Sequence, residues 1–332
     1  MTFTLYLTFA AFFISLAGTR LLILAFRNNP LLLDRPNARS NHKNPTPRGG
    51  GLAVIFAILI PMMIADVPIY IAISILLLAA IALLDDLLGV PVFIRFAVQI
   101  IAVSIPLAFV PDHLLSPLIP PLLEKIMLGI AWVWMINLFN FMDGIDGISA
   151  AELTSVGLGA TFIMVFINLF PSSIANYGMI VAASACGFWW WNKHPARIFL
   201  GDVGSIPLGF ILGYLLLTLL LQGYWVAAMI LPAYYVSDSS VTLFKRLYRK
   251  QKIWQAHSEH YYQKAARKGW KHNIIVRYIV GLNMLLGFLA VYSTLTPELD
   301  ILFIGLAYMA TFMLMGFFAH ENKPSIILDK TA

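Results

Sequence analysis

The chain has 332 residues, of which 60% are hydrophobic and only 11% charged, with a formal net charge of +6. A water-facing surface carries roughly a quarter charged residues, so the composition excludes an ordinary cytosolic enzyme, a disordered chain and a nucleic-acid-binding module, and it reads as a polytopic membrane protein. The single Cys186, in an apolar run beside Gly187, excludes a disulfide framework or a cysteine-rich metal site.

A helix needs about 20 apolar residues to cross a hydrocarbon core of ~30 Å, and that ruler predicts about eleven spans. In chain order they are 3–26, 50–65, 69–84, 93–110, 125–142, 153–170, 174–191, 205–221, 224–243, 274–294 and 299–319. Several are short and interrupted by Pro61, Pro106, Pro207 or Pro232, so ten is the alternative count. The first span lacks a small-residue cleavage site after it and reads as a retained helix rather than a signal peptide. No repeat or low-complexity tract divides the chain, so residues 1–332 read as a single all-α polytopic domain. With helix-end residues counted into the adjoining loop, every Lys and Arg except Lys125 falls after an odd-numbered span or in the C-terminal tail. Those loops are therefore expected to face the cytoplasm, with the N-terminus outside. Basic clusters beside helices also suit anionic lipid or phosphate ligands, although topology alone accounts for most of them.

The acids carry independent information. Asp85 and Asp86 end the third span (LLDDLLG), Asp143 and Asp146 end the fifth (FMDGIDG), and Asp202 precedes the eighth (FLGDVGS). Glu152 is expected on the same side. Partly desolvated carboxylates without adjacent basic partners are costly, and convergence on a divalent cation offsets that cost, because Mg²⁺ prefers carboxylate oxygens and substrate phosphates. Asp202 alone could equally be an anion at a helix N-terminus; several acids at helix ends on one membrane face favour a metal–phosphate site. Asp238, inside a span, reads as a structural hydrogen-bonding group.

Other features point to the same face. The glycines of NPTPRGGG (44–51) permit close backbone approach to a ligand. Asn137 and Asn140 share a helix face with Asp143. The loop 244–273 carries HSEHYYQ, whose His257 and His260 would share one side of a helix or belong to a solvated surface. Trp189, Trp190 and Trp191 read as an interfacial aromatic belt.

Taken together, SNHKNPTPRGGG (40–51), LLDDLLG (83–89), NLFNFMDGIDG (137–147), NKHPARIFLGDVGS (192–205) and HSEHYYQ (257–263) resemble the bacterial polyprenyl-phosphate N-acetylhexosamine-1-phosphate transferases. These form a glycosyltransferase family 4-like group that includes the phospho-MurNAc-pentapeptide translocase, and the match runs from residue 28 to about 273. The resemblance implies ten or eleven transmembrane helices in the bacterial inner membrane, with the active site facing the cytoplasm. It implies undecaprenyl phosphate and a UDP-N-acetylhexosamine as substrates, the lipid bilayer as surroundings, no nucleic acid, and Mg²⁺ (Mn²⁺ as a substitute) as cofactor; a homodimer is left open. Carried over by motif, Asp85, Asp86, Asp202 and His260 are catalytic, with Asp202 the metal ligand. Asn140, Asp143 and Asp146 lie near the nucleoside and ribose, Asn192 and Phe199 fall at the uracil, and Arg48, with Lys43, neutralises phosphate. Tyr262 and Gln263 replace histidines of the translocase, no Lys follows the paired aspartates (Arg95 is the nearest basic residue), and His42 and Arg48 stand where the translocase has Lys and Met. These departures favour the branch that starts O-antigen or other surface polysaccharides over the muramyl-pentapeptide step. The rivals are an aromatic-type prenyltransferase, which leaves the glycine and histidine segments without a role, and a secondary transporter, which would need ionisable groups near the bilayer midplane.

Overall fold

A computed structural model describes residues 2–27, 33–34, 45–167, 172–252 and 257–320. His42, Lys43 and the other basic residues of 35–43, with Lys323 and Lys330, lie outside the described residues.

In lipid each backbone polar group has to be satisfied within its own segment, so apolar runs become helices. The helices are α1 (Thr2–Phe26), α2 (Gly51–Ile64), α3 (Ile69–Leu88), α4 (Val92–Leu107), α5 (Pro121–Met142), α6 (Ile148–Phe166), α7 (Ser173–Asn192), α8 (Asp202–Leu221), α9 (Trp225–Ile230), α10 (Ala233–Tyr248), α11 (Tyr261–Arg267), α12 (His272–Leu295) and α13 (Asp300–His320). The sheet among the described residues pairs β1 (Leu33–Asp34) antiparallel with β2 (Thr46–Pro47). Helices α1, α3, α5, α6, α8, α12 and α13 are long and apolar enough to cross a membrane, and α2 and α4 are shorter apolar helices. The protein is an all-α polytopic membrane protein.

Each expected span coincides with a helix, with three differences. The ninth is broken at Leu231–Pro232 into α9 and α10, because proline cannot donate to the helical ladder and its ring clashes with the preceding turn. The sixth begins at Ile148, so Glu152 lies inside α6, fully buried and accepting from Asn283 Nδ2 of α12 at 2.7 Å, rather than in a cytoplasmic loop. The eighth begins at Asp202, which occupies its first turn.

The nearly enclosed α8 is the hub, packed against α2, α3 and α5. Its glycines let neighbours close in: a Cβ on Gly209 would stand 2.8 Å from the Ile136 Cα of α5. Trp132 of α5 donates to the Phe210 carbonyl at 3.0 Å and stacks on that ring. The outer faces of α1, α4 and α13 expose Phe9, Phe13, Phe93, Phe96 and Phe312, as lipid contact requires. At one end of the bundle α3 and α5 stop while α2, α4 and α8 start, and the motif residues gather there.

Candidate active site

The last turn of α3 carries Asp85 and Asp86 and ends at Gly89, whose φ of 71° a side chain would strain. The turn brings the Val90 N–H back onto Asp85 Oδ1 at 2.7 Å and places Arg95 in the first turns of α4. The Arg95 guanidinium pairs with Asp85 Oδ2 and reaches Asp202 Oδ2 at 3.4 Å. Asp202 sits where a helix N-terminus favours an anion, and its Oδ1 accepts from Asn140 Nδ2 at 3.1 Å; Asn140 also donates to Ser205 Oγ at 2.7 Å. Asp86 Oδ2 accepts the Val203 N–H at 3.1 Å, while Arg48 donates to the Asp86 carbonyl at 2.7 Å and lies 3.7 Å from its carboxylate. Asp85, Asp86, Asp202, Asn140 and Arg48 thus form one cluster, and Arg95 is its added member. The expectation that these acids lack basic partners is corrected: Arg48 and Arg95 supply them from other helix ends, which sequence adjacency does not reveal.

Asp143 caps the C-terminus of α5 and accepts from Ser149 Oγ at 2.7 Å. Burial, with Asp202 and Asp146 nearby, pushes its carboxyl up to about 6 against the pull of that hydrogen bond. Acids outnumber arginines here and the donors are oxygens, a set that could hold a hard divalent cation.

The glycine run does not stand open to a ligand. Gly50 N–H donates to the Phe199 carbonyl and Gly51 N–H to the Leu200 carbonyl, each at 2.9 Å, and Phe199 N–H returns to the Pro47 carbonyl at 2.8 Å. A Cβ on Gly204 would stand 2.6 Å from the Gly51 Cα, so the close approach is of the chain to itself. It fixes Phe199, half-buried, at the edge of the site. Asn192 is buried with both ends of its amide engaged: Oδ1 accepts Gly147 N–H and Nδ2 donates to the Ile198 carbonyl, both at 2.9 Å. It braces the 143–147 loop against the 192–201 loop.

Asp146 is buried beside two imidazoles that sequence reasoning missed. His194 Nδ1 lies 2.6 Å and His272 Nδ1 3.3 Å from its Oδ2, which also accepts Ala196 N–H at 3.2 Å. Burial works to raise this carboxyl, but the bonds to His272 and His194 outweigh it and hold it below its ordinary value.

His260 is the N-cap of α11 rather than a helical neighbour of His257. It is buried, with Nδ1 3.3 Å from Asp238 Oδ1. Asp238 also accepts the N–H groups of Tyr261 and Tyr262, at 2.9 and 3.3 Å, and the hydroxyls of Tyr234 and Thr242, at 3.2 and 3.3 Å. Tyr262 in turn donates to the Phe141 carbonyl at 3.2 Å, which docks α11 on the end of α5. Burial, then His260 and Arg246, push His257 down to about 4. Among the described residues, no hydrogen bond or ion pair joins His260 to Asp85, Asp86 or Asp202.

From the acid cluster a groove of about 620 Å³ runs between α4 and α5, lined by apolar residues such as Phe96, Ile100, Val103, Ile130 and Val133, with Arg95 and Asn140 on its wall. Asn137 turns to this wall too, donating to Gln99 Oε1 at 2.7 Å.

The model of the family described as glycosyl transferase family 4 matches residues 68–220, a stretch that holds the site residues above except Arg48, the glycine run beside it and the 234–272 segment. A probable undecaprenyl-phosphate N-acetylglucosaminyl 1-phosphate transferase of Bacillus subtilis (strain 168) is 26% identical over 298 residues, covering 83% of this chain and 82% of the relative. The phospho-N-acetylmuramoyl-pentapeptide-transferase of Desulforapulum autotrophicum is 29% identical over 284 residues, covering 71% and 76%. The decaprenyl-phosphate N-acetylglucosaminephosphotransferase of Mycolicibacterium smegmatis is 31% identical over 215 residues, covering 54% and 51%.

Proposed function

We propose, for a chain that belongs to glycosyl transferase family 4 through residues 68–220, that it transfers an N-acetylhexosamine-1-phosphate from a UDP-sugar to undecaprenyl phosphate. Its relatives are named for sugar-phosphate transfer to polyprenyl phosphates and for the muramyl-pentapeptide reaction. The observation that carries the proposal is the apolar groove beside the Arg95–Asp85–Asp202 cluster. A long hydrocarbon tail fits the groove, and its phosphate meets a guanidinium held in place by two carboxylates.

An oxygen of the lipid phosphate attacks the sugar-proximal phosphorus, the bond to the UMP oxygen breaks, and UMP leaves with the electron pair. A phosphate monoester with a second pKa of about 6 is largely dianionic at neutral pH. Asp85 and Asp86 are therefore assigned to positioning, Asp85 through Arg95 and Asp86 through the start of α8, rather than to general-base catalysis. Phosphoryl transfer is mostly alignment and charge neutralisation. Asp202, with Asp85 and Asp86, would hold Mg²⁺, which when bound supplies neutralisation of the diphosphate. Arg48 offers a second cation to the phosphates. Phe199 stacks on the uracil, with Asn140, Asp143 and Asp146 around the nucleoside, while Asn192 holds the loop that presents Phe199. His260 acts through the placement of α11.

The placement of Lys and Arg supports a bacterial inner-membrane protein with this site on the cytoplasmic face. Gln263 accepts from His260 N–H at 3.2 Å and caps α11. Gln263 and the buried Tyr262 thus hold α11 in place, and the choice of a compact UDP-N-acetylhexosamine of surface-polysaccharide synthesis over a muramyl pentapeptide rests on the motif departures at these two positions. The test is purified protein with undecaprenyl phosphate, Mg²⁺ and a panel of radiolabelled UDP-sugars. Label should move from small N-acetylated donors into lipid with release of UMP. Efficient use of UDP-MurNAc-pentapeptide would move the protein to the peptidoglycan branch, and inactivity with every donor would overturn the proposal.

A further inference from the structure

We infer that Asp146, through the Oδ2 that faces both imidazoles, forms with His194 and His272 a binding site for a transition-metal ion of the zinc class; it borders the nucleoside position proposed above and is built outside the Asp85–Asp86–Asp202 cluster. One ligand atom from each residue lies within 4.8 Å of the others, and they come from three segments: the loop after α5, the loop after α7 and the first residue of α12. The spacing of one pair is that of two ligands on a common ion. His272 Nδ1 stands 3.3 Å from Asp146 Oδ2 and 3.4 Å from the Asp146 N–H nitrogen. Both are longer than the usual hydrogen bond of about 2.9–3.0 Å, so neither holds this buried nitrogen as closely as a ligand bond would. With ligand bonds of about 2.0–2.1 Å, the edge of a tetrahedral zinc site is about 3.3 Å, which is the spacing found. His194 Nδ1 stands closer, at 2.6 Å from Oδ2, and would have to move outward to reach the same spacing.

The donor chemistry points the same way. Two imidazoles and one carboxylate suit zinc and its neighbours, whereas magnesium prefers oxygen alone. Access is one-sided: the His194 side chain is 35% exposed, those of Asp146 and His272 each 8%. An ion would enter past His194 and keep a coordination position facing outward. The adjacent Lys193 does not crowd that path, its Nζ lying over the Trp190 ring at 4.0 Å. Because Asn192 already ties the two loops together through Gly147, a bound ion would pin them further to α12.

The experiment uses untagged full-length protein stripped with EDTA, then titrated with Zn²⁺ by equilibrium dialysis in excess Mg²⁺, with thermal melting in parallel. Wild-type protein should take up one equivalent, melt at a higher temperature, and show the visible absorption of tetrahedral Co²⁺ when cobalt replaces zinc. His194→Ala should weaken binding by at least about tenfold and abolish the melting shift. His194→Cys, which restores a ligand, should keep both, and it carries the test if the alanine variant fails to fold. His257→Ala, which removes the other close imidazole pair, should change neither. The inference is overturned if wild-type protein takes up no Zn²⁺, if His194→Ala binds as wild type does, or if His257→Ala loses the ion instead.

Discussion

Asp202 and Asp238 are both aspartates on helices of an apolar protein, Asp202 in the first turn of α8 and Asp238 inside α10, and the fold treats them in opposite ways. The Asp238 side chain is wholly buried, and its partners are fixed in place: two backbone N–H groups, two hydroxyls and the His260 ring. The Asp202 side chain is 37% exposed and is held by the long Arg95 side chain and by Asn140. A buried carboxylate with a full set of fixed donors is architecture, since removing any donor exposes a desolvation cost. A half-open carboxylate whose donors sit on flexible side chains can exchange them for a ligand. Chemistry is to be sought at the second kind of site, and the buried kind holds it in place.

That contrast breaks most sharply on two amide substitutions. Asp202→Asn should reduce transfer by at least roughly a hundredfold with little change in melting temperature, because its share of stability is a helix-terminus charge worth about 0.3–1 kcal/mol. Label transfer and a thermal melt on the same preparation read both. Asp238→Asn should do the reverse, costing about 2–4 kcal/mol of stability through its broken hydrogen bonds. In that variant the turnover per folded molecule should stay near wild type; a folded but inactive Asp238→Asn would place it in the chemistry after all. A smaller effect is expected for Arg95→Lys, since an ammonium is a point charge that cannot fork between Asp85 and Asp202. Its kcat/KM should fall about tenfold, with undecaprenyl phosphate rather than the UDP-sugar showing the raised KM.

The smallest effect separates two neighbours in one motif. Asp143 is raised from 3.8 to about 6, so its contribution to stability is present below the lower value and is lost as pH rises through the higher. Asp146 is lowered from 3.8, so its contribution is present above that value and is lost as pH falls below it. Stability measured from pH 4 to 7 should therefore fall less steeply with rising pH in Asp143→Asn than in wild type. An unchanged slope would remove Asp143 as its source.

The spans were legible because apolar length is a local property, and so were the acids, since each motif sits at a helix end that apolar patterning already marks. Partners were not legible, because they arrive from other helices. Arg95 looked like the nearest basic residue and is the bridge between Asp85 and Asp202. His194 and His272 gave no signal until the fold brought them to Asp146. Glu152 reads as a loop acid because the apolar run starts only at Leu153, whereas the helix begins at Ile148. The glycine run was recognised as permitting close approach, but sequence alone could not say that the approaching atoms belong to Gly204. Asp238 was read as structural, and its contacts agree.

The join between Gly50–Gly51 and Phe199–Leu200 also has a dynamic consequence. Two hydrogen bonds at 2.9 Å and a backbone contact that leaves no room for a methyl group fasten the start of α2 to the loop ahead of α8. The aromatic ring of Phe199 therefore cannot swing as an independent flap; displacing its backbone means sliding the end of a helix. Amide hydrogen exchange at Gly50 and Gly51 should accordingly follow the slow, cooperative opening of the bundle rather than the fast fraying usual for a loop of glycines.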